Sequence, residues 1–202
     1  MRLSQLLTLQ LSLSLALPSA GKVVNASWKA IPPPDVKVGD LVFRRGRGMW
    51  TQYFINVSTR EKRFSHVGIV VSNAAECVIV HSEGDDRTGD GQVRLQEWRG
   101  FFSNAVEAAV FRYEGGEKSA VLFAERGKAL LGVPFDPAFD MEDSSKLYCT
   151  EFVRNVVNGV LGRDVIGWTP LGRRRMVAVD DVYRREFRRV FDSRWAAEDD
   201  SR

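Results

Sequence analysis

Two apolar runs with strand periodicity dominate the first half of the chain. Phe64–Ser72 (FSHVGIVVS) and Cys77–Ser82 (CVIVHS) are rich in Val and Ile, and the short Asn73-Ala74-Ala75-Glu76 link suits an antiparallel hairpin. Alternation puts His66, Gly68 and Val70 on one face of the first strand, and Cys77, Ile79 and His81 on one face of the second. A hairpin pairs the start of one strand with the end of the other, so His66 and His81 are expected near each other. They are the chain's 2 histidines. Shorter strands are expected at Leu41-Val42-Phe43 after the turn Val38-Gly39-Asp40, at Gln92–Leu95 after the polar turn Glu83–Asp90, and at Ala108–Tyr113. The stretch Leu41–Arg63, with Arg44, Arg45, Arg47, Arg60, Lys62 and Arg63 against Glu61, otherwise reads as a basic, glycine-containing loop region.

Helical spacing follows in the second half. Ala120, Phe123, Ala124, Gly127, Leu130 and Leu131 predict a helix over Ser119–Leu131, stopped by Gly132 and Pro134. Val182, Tyr183, Phe187, Val190 and Phe191 predict another over Asp180–Phe191. Between them, Cys149, Phe152, Val153, Val156 and Val160 form one apolar stripe of a helix over Lys146–Leu161, entered through the acidic, hydroxyl-rich run Asp140–Ser145. Cys149 therefore lies near a helix N-terminus, where the dipole, and any neighbouring imidazolium, favour a thiolate. This helix must pack on a sheet whose faces carry both imidazoles. Cys149 with His66, and His81 behind it, supplies nucleophile, base and orienting group, the parts of a thiol hydrolase.

Composition narrows the alternatives. A chain of 202 residues with 44% hydrophobic residues is one ordinary domain, able to bury a core unaided. Its net charge of +3 is too small an imbalance to argue for nucleic acid. Two cysteines exclude a disulfide scaffold. Residues 1–26 read as an export signal: Arg2, a leucine-rich stretch, then small residues, with cleavage after Ala20 or Ala26. Residues 27–37, with three consecutive prolines, read as an extended lead-in, 38–192 as the folded domain and 193–202 as a C-terminal tail. The mature protein is expected in the periplasm or outside the cell. An oxidising compartment leaves a Cys77–Cys149 disulfide open as the companion of a non-catalytic envelope-binding module. Zinc held by Cys149, His66 and His81 is open too. From Arg163 onward there are ten arginines against eight acidic residues, which serve solubility or a peripheral contact with a membrane or anionic envelope polymer.

Beyond these patterns, Gly39-Asp40-Leu41, Ser65-His66-Val67-Gly68-Ile69, Leu131–Asp136, Phe139-Asp140 and Tyr148-Cys149-Thr150-Glu151-Phe152-Val153 resemble the YiiX/YebB-like branch of the NlpC-type cysteine hydrolases. The resemblance spans roughly residues 36–185. It implies an α+β, circularly permuted papain-like fold, with an antiparallel sheet or small barrel packed against the nucleophile-bearing helix and the histidine strand preceding it. It also implies Cys149 as nucleophile, His66 as base and a third polar residue on the next strand. That position falls on His81; many members carry a glutamate there, and Glu83 is the nearby competitor. Phe135 stands where relatives often show tyrosine, so any hydroxyl supplied from there is missing. The resulting expectation is a monomeric, exported thiol amidase without cofactor or metal, acting on a cell-envelope peptide such as one derived from peptidoglycan. A lipid acyl hydrolase or acyltransferase using the same Cys-His site is the alternative.

Overall fold

The computed structural model describes residues 28–195. The expected export signal and residues 196–202 of the tail lie outside the described residues. Trp28–Ala30 form a helical turn, and a second turn at Pro34-Asp35 is closed by the Val36 N–H donating to the Pro33 carbonyl, so the lead-in is not extended throughout.

Six strands form one sheet: β1 (Leu41–Arg45), β2 (His66–Asn73), β3 (Cys77–Gly84), β4 (Gly91–Glu97), β5 (Glu107–Tyr113) and β8 (Phe187–Asp192). Their spatial order is β4-β3-β2-β1-β5-β8, and every neighbouring pair is antiparallel. A separate two-stranded ribbon joins β6 (Thr169–Leu171) to β7 (Arg174–Met176). The helices are α1 (Met49–Val57), α2 (Trp98–Phe102), α3 (Glu117–Lys128) and α4 (Cys149–Leu161), with a 3₁₀ turn at Val179–Asp181.

Alternation along the strands divides the core into two. Leu41, Phe43, Val67, Ile69 and Val80 face α3 and α4, where Phe123, Phe152, Val153 and Val156 complete a buried cluster. Val42, Val70, Ile79 and Val110 point the other way, against Trp98, Phe101 and Phe102 of α2 and Trp28 of the lead-in. Each such fully buried apolar side chain is worth roughly 1.5–3 kcal/mol of transfer free energy. The strand faces are apolar on both sides because both sides are covered.

Three further segments depart from the sequence expectation. The supposed loop Leu41–Arg63 contains α1, which buries Phe54, Ile55 and Val57. The helix expected over Asp180–Phe191 does not form: the 3₁₀ turn ends, Arg185 takes a positive φ of 52°, and Phe187–Asp192 pair with β5. Its apparent single apolar face is shared between two cores. Val182 and Phe187 join the α3/α4 side, whereas Val190 and Phe191 pack on the α2 side. Finally, α4 starts at Cys149 itself, capped by extended Tyr148 with no side-chain cap, so the acidic run is spent on turns before it.

Candidate active site

The helix bearing Cys149 packs on one face of the sheet, while His66 and His81 lie on the opposite face, against Phe101. They meet at the sheet's end, where β2 begins and β1 and β3 finish. A cavity of about 700 Å³ opens there, lined by Cys149, His66, Arg44, Glu83, Trp50 and Phe135 among others.

Local bonds fix the start of α4 at this edge. Ser82, beside His81 on β3, donates its hydroxyl to the Leu147 carbonyl at 2.5 Å. The buried Tyr148 hydroxyl accepts the Val177 N–H at 2.9 Å, and the Thr150 hydroxyl donates to the Val177 carbonyl at 2.6 Å. The chain on both sides of Cys149 is thereby tied to β3 and to the segment after β7.

The two imidazoles are perpendicular, with His66 Nε2 and His81 Nδ1 hydrogen-bonded at 2.9 Å. Gly68 makes room for this meeting. The register Ile69↔Val80 continues to set Gly68 opposite His81, and a Cβ on Gly68 would come within 2.5 Å of Ile79 Cγ2 and 3.1 Å of His81 Cβ. With Nε2 engaged, the His66 nitrogen left for a thiol is Nδ1.

Glu83 stands further back. Its Oε2 lies 4.0 Å from His81 Nδ1, and its carboxylate is held by Arg44 and by Arg94, the latter at 2.5 Å. Of the two candidates for the third position, His81 therefore makes the direct bond to His66, and Glu83 contributes charge. Arg44 also bonds the Phe101 carbonyl, and its guanidinium lies 4.6 Å over the Phe101 ring.

Burial dominates the electrostatics. It pushes the Cys149 thiol up to about 12, against the opposing pull of the Val67 and Thr150 backbone N–H groups and Arg44. Desolvation also holds His66 well below its ordinary value, with Arg44 adding to it, and takes His81 down to about 3. Burial raises Glu83, but His66, Arg44, His81 and Arg94 together bring it well below the usual carboxylate range. The resting pair is thus a neutral thiol and a neutral imidazole. The thiolate expected from the helix dipole is outweighed by the loss of water around a sulfur that is 1% exposed.

Cys77 and Cys149 are free thiols. Cys77 starts β3 on the α2 side, while Cys149 belongs to the other core, so the disulfide alternative is not formed. His66, His81 and Glu83 offer ligand atoms within 4.8 Å of one another, a set that does not include Cys149. Yet His66 Nε2 and His81 Nδ1 are committed to each other and Glu83 to two guanidinium groups, so a cation between these three atoms would displace a hydrogen bond and face Arg44 and Arg94. These residues fit a metal poorly. Arg44 and Gln96, which also line the cavity, carry no distinguishing mark in the sequence; Arg44 is hidden among neighbouring arginines, and Gln96 reaches the site only through pairing of β4 with β3.

Residues 35–176, which include His66, His81 and Cys149, match the family model described as permuted papain-like amidase enzymes, YaeF/YiiX, C92 family. The chain belongs to the permuted papain-like amidase family. It is therefore a papain-like cysteine hydrolase of the amidase type. The solved structure of YiiX from Escherichia coli O157:H7, described as a metalloprotein, superposes on this permuted papain-like chain with a TM-score of 0.64. The alignment has 20% identity and covers 77% of this chain and 96% of YiiX, a likeness of fold. No curated protein matches the sequence.

Proposed function

We propose that Cys149 is the nucleophile, His66 the general base and His81 the orienting group of an exported amidase acting on cell-envelope peptides. The observation that carries this reading is one cavity lined by both Cys149 and His66, with His66 turned by its 2.9 Å bond to His81. Because thiol and imidazole are both neutral at rest, proton transfer accompanies attack. The Cys149 S–H proton passes to His66 Nδ1 as sulfur adds to the amide carbonyl. The uncapped first turn of α4 offers backbone N–H groups to the oxyanion, an arrangement in which the absent Phe135 hydroxyl is not required. His66 then gives its proton to the departing amine, leaving a thioester on Cys149. Water, deprotonated by His66, releases the acid and restores the thiol.

A lipid acyl substrate is the second reading, favoured by the β6–β7 ribbon. Its two-residue tip, Gly172-Arg173, follows exposed Leu171, and exposed Trp168 stacks on Arg175. Aromatic, aliphatic and arginine side chains displayed together suit an anionic bilayer surface. Among the described residues no helix is long and apolar enough to cross a membrane, so such a contact is peripheral. Purified protein is incubated separately with muropeptides and with phospholipid vesicles, and products are read by mass spectrometry. Amide cleavage of muropeptides, lost in Cys149→Ala, is the expected result. Acyl release from phospholipid alone supports the second reading, and activity retained in Cys149→Ala refutes both.

A further inference from the structure

We propose that Gln96 is a positioning residue that selects the protonation pattern of the two histidines, so that His66 presents an unprotonated Nδ1 to Cys149. This rests on the reading of Cys149 and His66 as nucleophile and base. Buried and neutral, His81 has one N–H and one lone pair. Its Nδ1 is bonded to His66. Its Nε2 is buried with no hydrogen-bond partner, and so is Gln96 Oε1. Two buried polar atoms without partners on adjoining strands, one a donor when protonated and the other an acceptor, are each other's natural partners.

The sheet register explains the encounter. Arg94 is opposite His81 and Gln96 opposite Ile79, so Gln96 lies diagonally across from His81 on the α2 face. Gly100 of α2 admits the amide from the other side. A Cβ there would approach Gln96 Nε2 to 3.1 Å and Cγ to 3.2 Å, tighter than ordinary contact. The amide nitrogen is thus turned toward α2 and the oxygen left for His81.

The consequence for protons is directional. A carbonyl oxygen accepts only, so His81 must carry its proton on Nε2 and a lone pair on Nδ1. His81 Nδ1 then accepts from His66 Nε2–H, and His66 keeps a lone pair on Nδ1. In the reverse pattern two acceptors would face each other at Gln96, and His66 Nδ1 would already hold a proton, unable to take one from sulfur. Glu83 Oε2, 4.0 Å from His81 Nδ1 and held by Arg44 and Arg94, favours a proton on that nitrogen; Gln96 favours one on Nε2 and has to outweigh it.

Long-range proton–nitrogen spectra of the full chain labelled with ¹⁵N-histidine, at pH 7.5, read the pattern without any substrate. Both rings are expected as Nε2–H tautomers. In Gln96→Leu the acceptor is gone, and His66 should become a mixture of tautomers; in Gln96→Glu, which keeps an acceptor, both remain Nε2–H. Alkylation of Cys149 by iodoacetamide, located by peptide mass spectrometry, should slow in Gln96→Leu in proportion to the fraction of His66 protonated on Nδ1, about twofold for an even mixture, and recover in Gln96→Glu. A wild-type His66 carrying its proton on Nδ1, or tautomers unchanged in Gln96→Leu, overturns the proposal. If the leucine variant does not fold, the wild-type and glutamate spectra still decide. Failure of the catalytic reading shows separately, as turnover surviving in Cys149→Ala with both tautomers as expected.

Discussion

At the scale of residues, the placement of the candidate site residues is largely legible in the sequence because strand alternation and helical spacing are local. These two patterns alone assign His66, His81 and Cys149 each to a face and an end of its element. The state of their protons is not legible in that way, since it depends on how completely the finished fold removes water. That state has measurable consequences. His66 is held well below its ordinary 6.5, so the acid limb of kcat/KM is expected below pH 6.5, with no loss of activity between pH 6.5 and 8 from this group. A limb centred above pH 7 that disappears on substituting His66 would contradict it. Glu151, 3% exposed with one unpartnered oxygen, is pushed up to about 8, chiefly by burial and then by Asp136. The folded chain keeps this proton while the unfolded chain loses it near 4.5, so its contribution is full below pH 4.5 and declines as pH rises to about 8. Glu151→Gln should therefore raise Tm at pH 8 and leave it nearly unchanged at pH 4.5, as scanning calorimetry can check. His81 works in the opposite sense. Its value falls to about 3, so stability is full above pH 6.5 and is lost as pH falls toward 3.

At the scale of elements, the helices over Glu117–Lys128 and Cys149–Leu161 and the β2–β3 hairpin lie close to their expected positions. The helix α1 escapes a sequence reading although Trp50, Tyr53, Phe54 and Val57 have helical spacing, because the surrounding arginines and glycines resemble loop chemistry. β8 escapes it for a different reason. Its apolar positions fit a helical wheel, and only the open edge of β5 turns them into a ladder. The element that most directly sets the site is the β2–β3 pair, with Gly68 admitting His81. Gly68→Ala should cost about 1–3 kcal/mol by overpacking, read from denaturant midpoints, and should reduce kcat more than it raises KM. Ser82→Ala removes the tie to Leu147; kcat is expected to fall with little change in Tm, since the start of α4 keeps its bonds to Val177.

At the scale of the whole molecule, the sheet order cannot be read from local pattern, because β1 pairs with β5 and β5 with β8 across long separations. One buried ion pair ties that far edge to the site. Arg63, just before β2, clasps Asp192 at the end of β8 with bonds of 2.6 and 2.5 Å and also bonds Glu107 on β5. Arg63 is 5% exposed and Asp192 2%, so removing either partner strands a buried charge or leaves acidic groups unpaired. Asp192→Ala is expected to destabilise by about 3 kcal/mol, lowering the urea midpoint at unchanged slope. Loss near zero would show that Glu107 alone satisfies Arg63.

The chemistry proposed for this site requires Cys149 to carry the acyl group between two steps. That intermediate can be trapped by quenching the enzyme in acid during muropeptide turnover and reading intact-protein and peptide masses. An added mass equal to the acyl portion is expected on the peptide containing Cys149, absent in Cys149→Ala and much reduced in His66→Ala. An adduct on Cys77, or turnover that continues in Cys149→Ala, would contradict it.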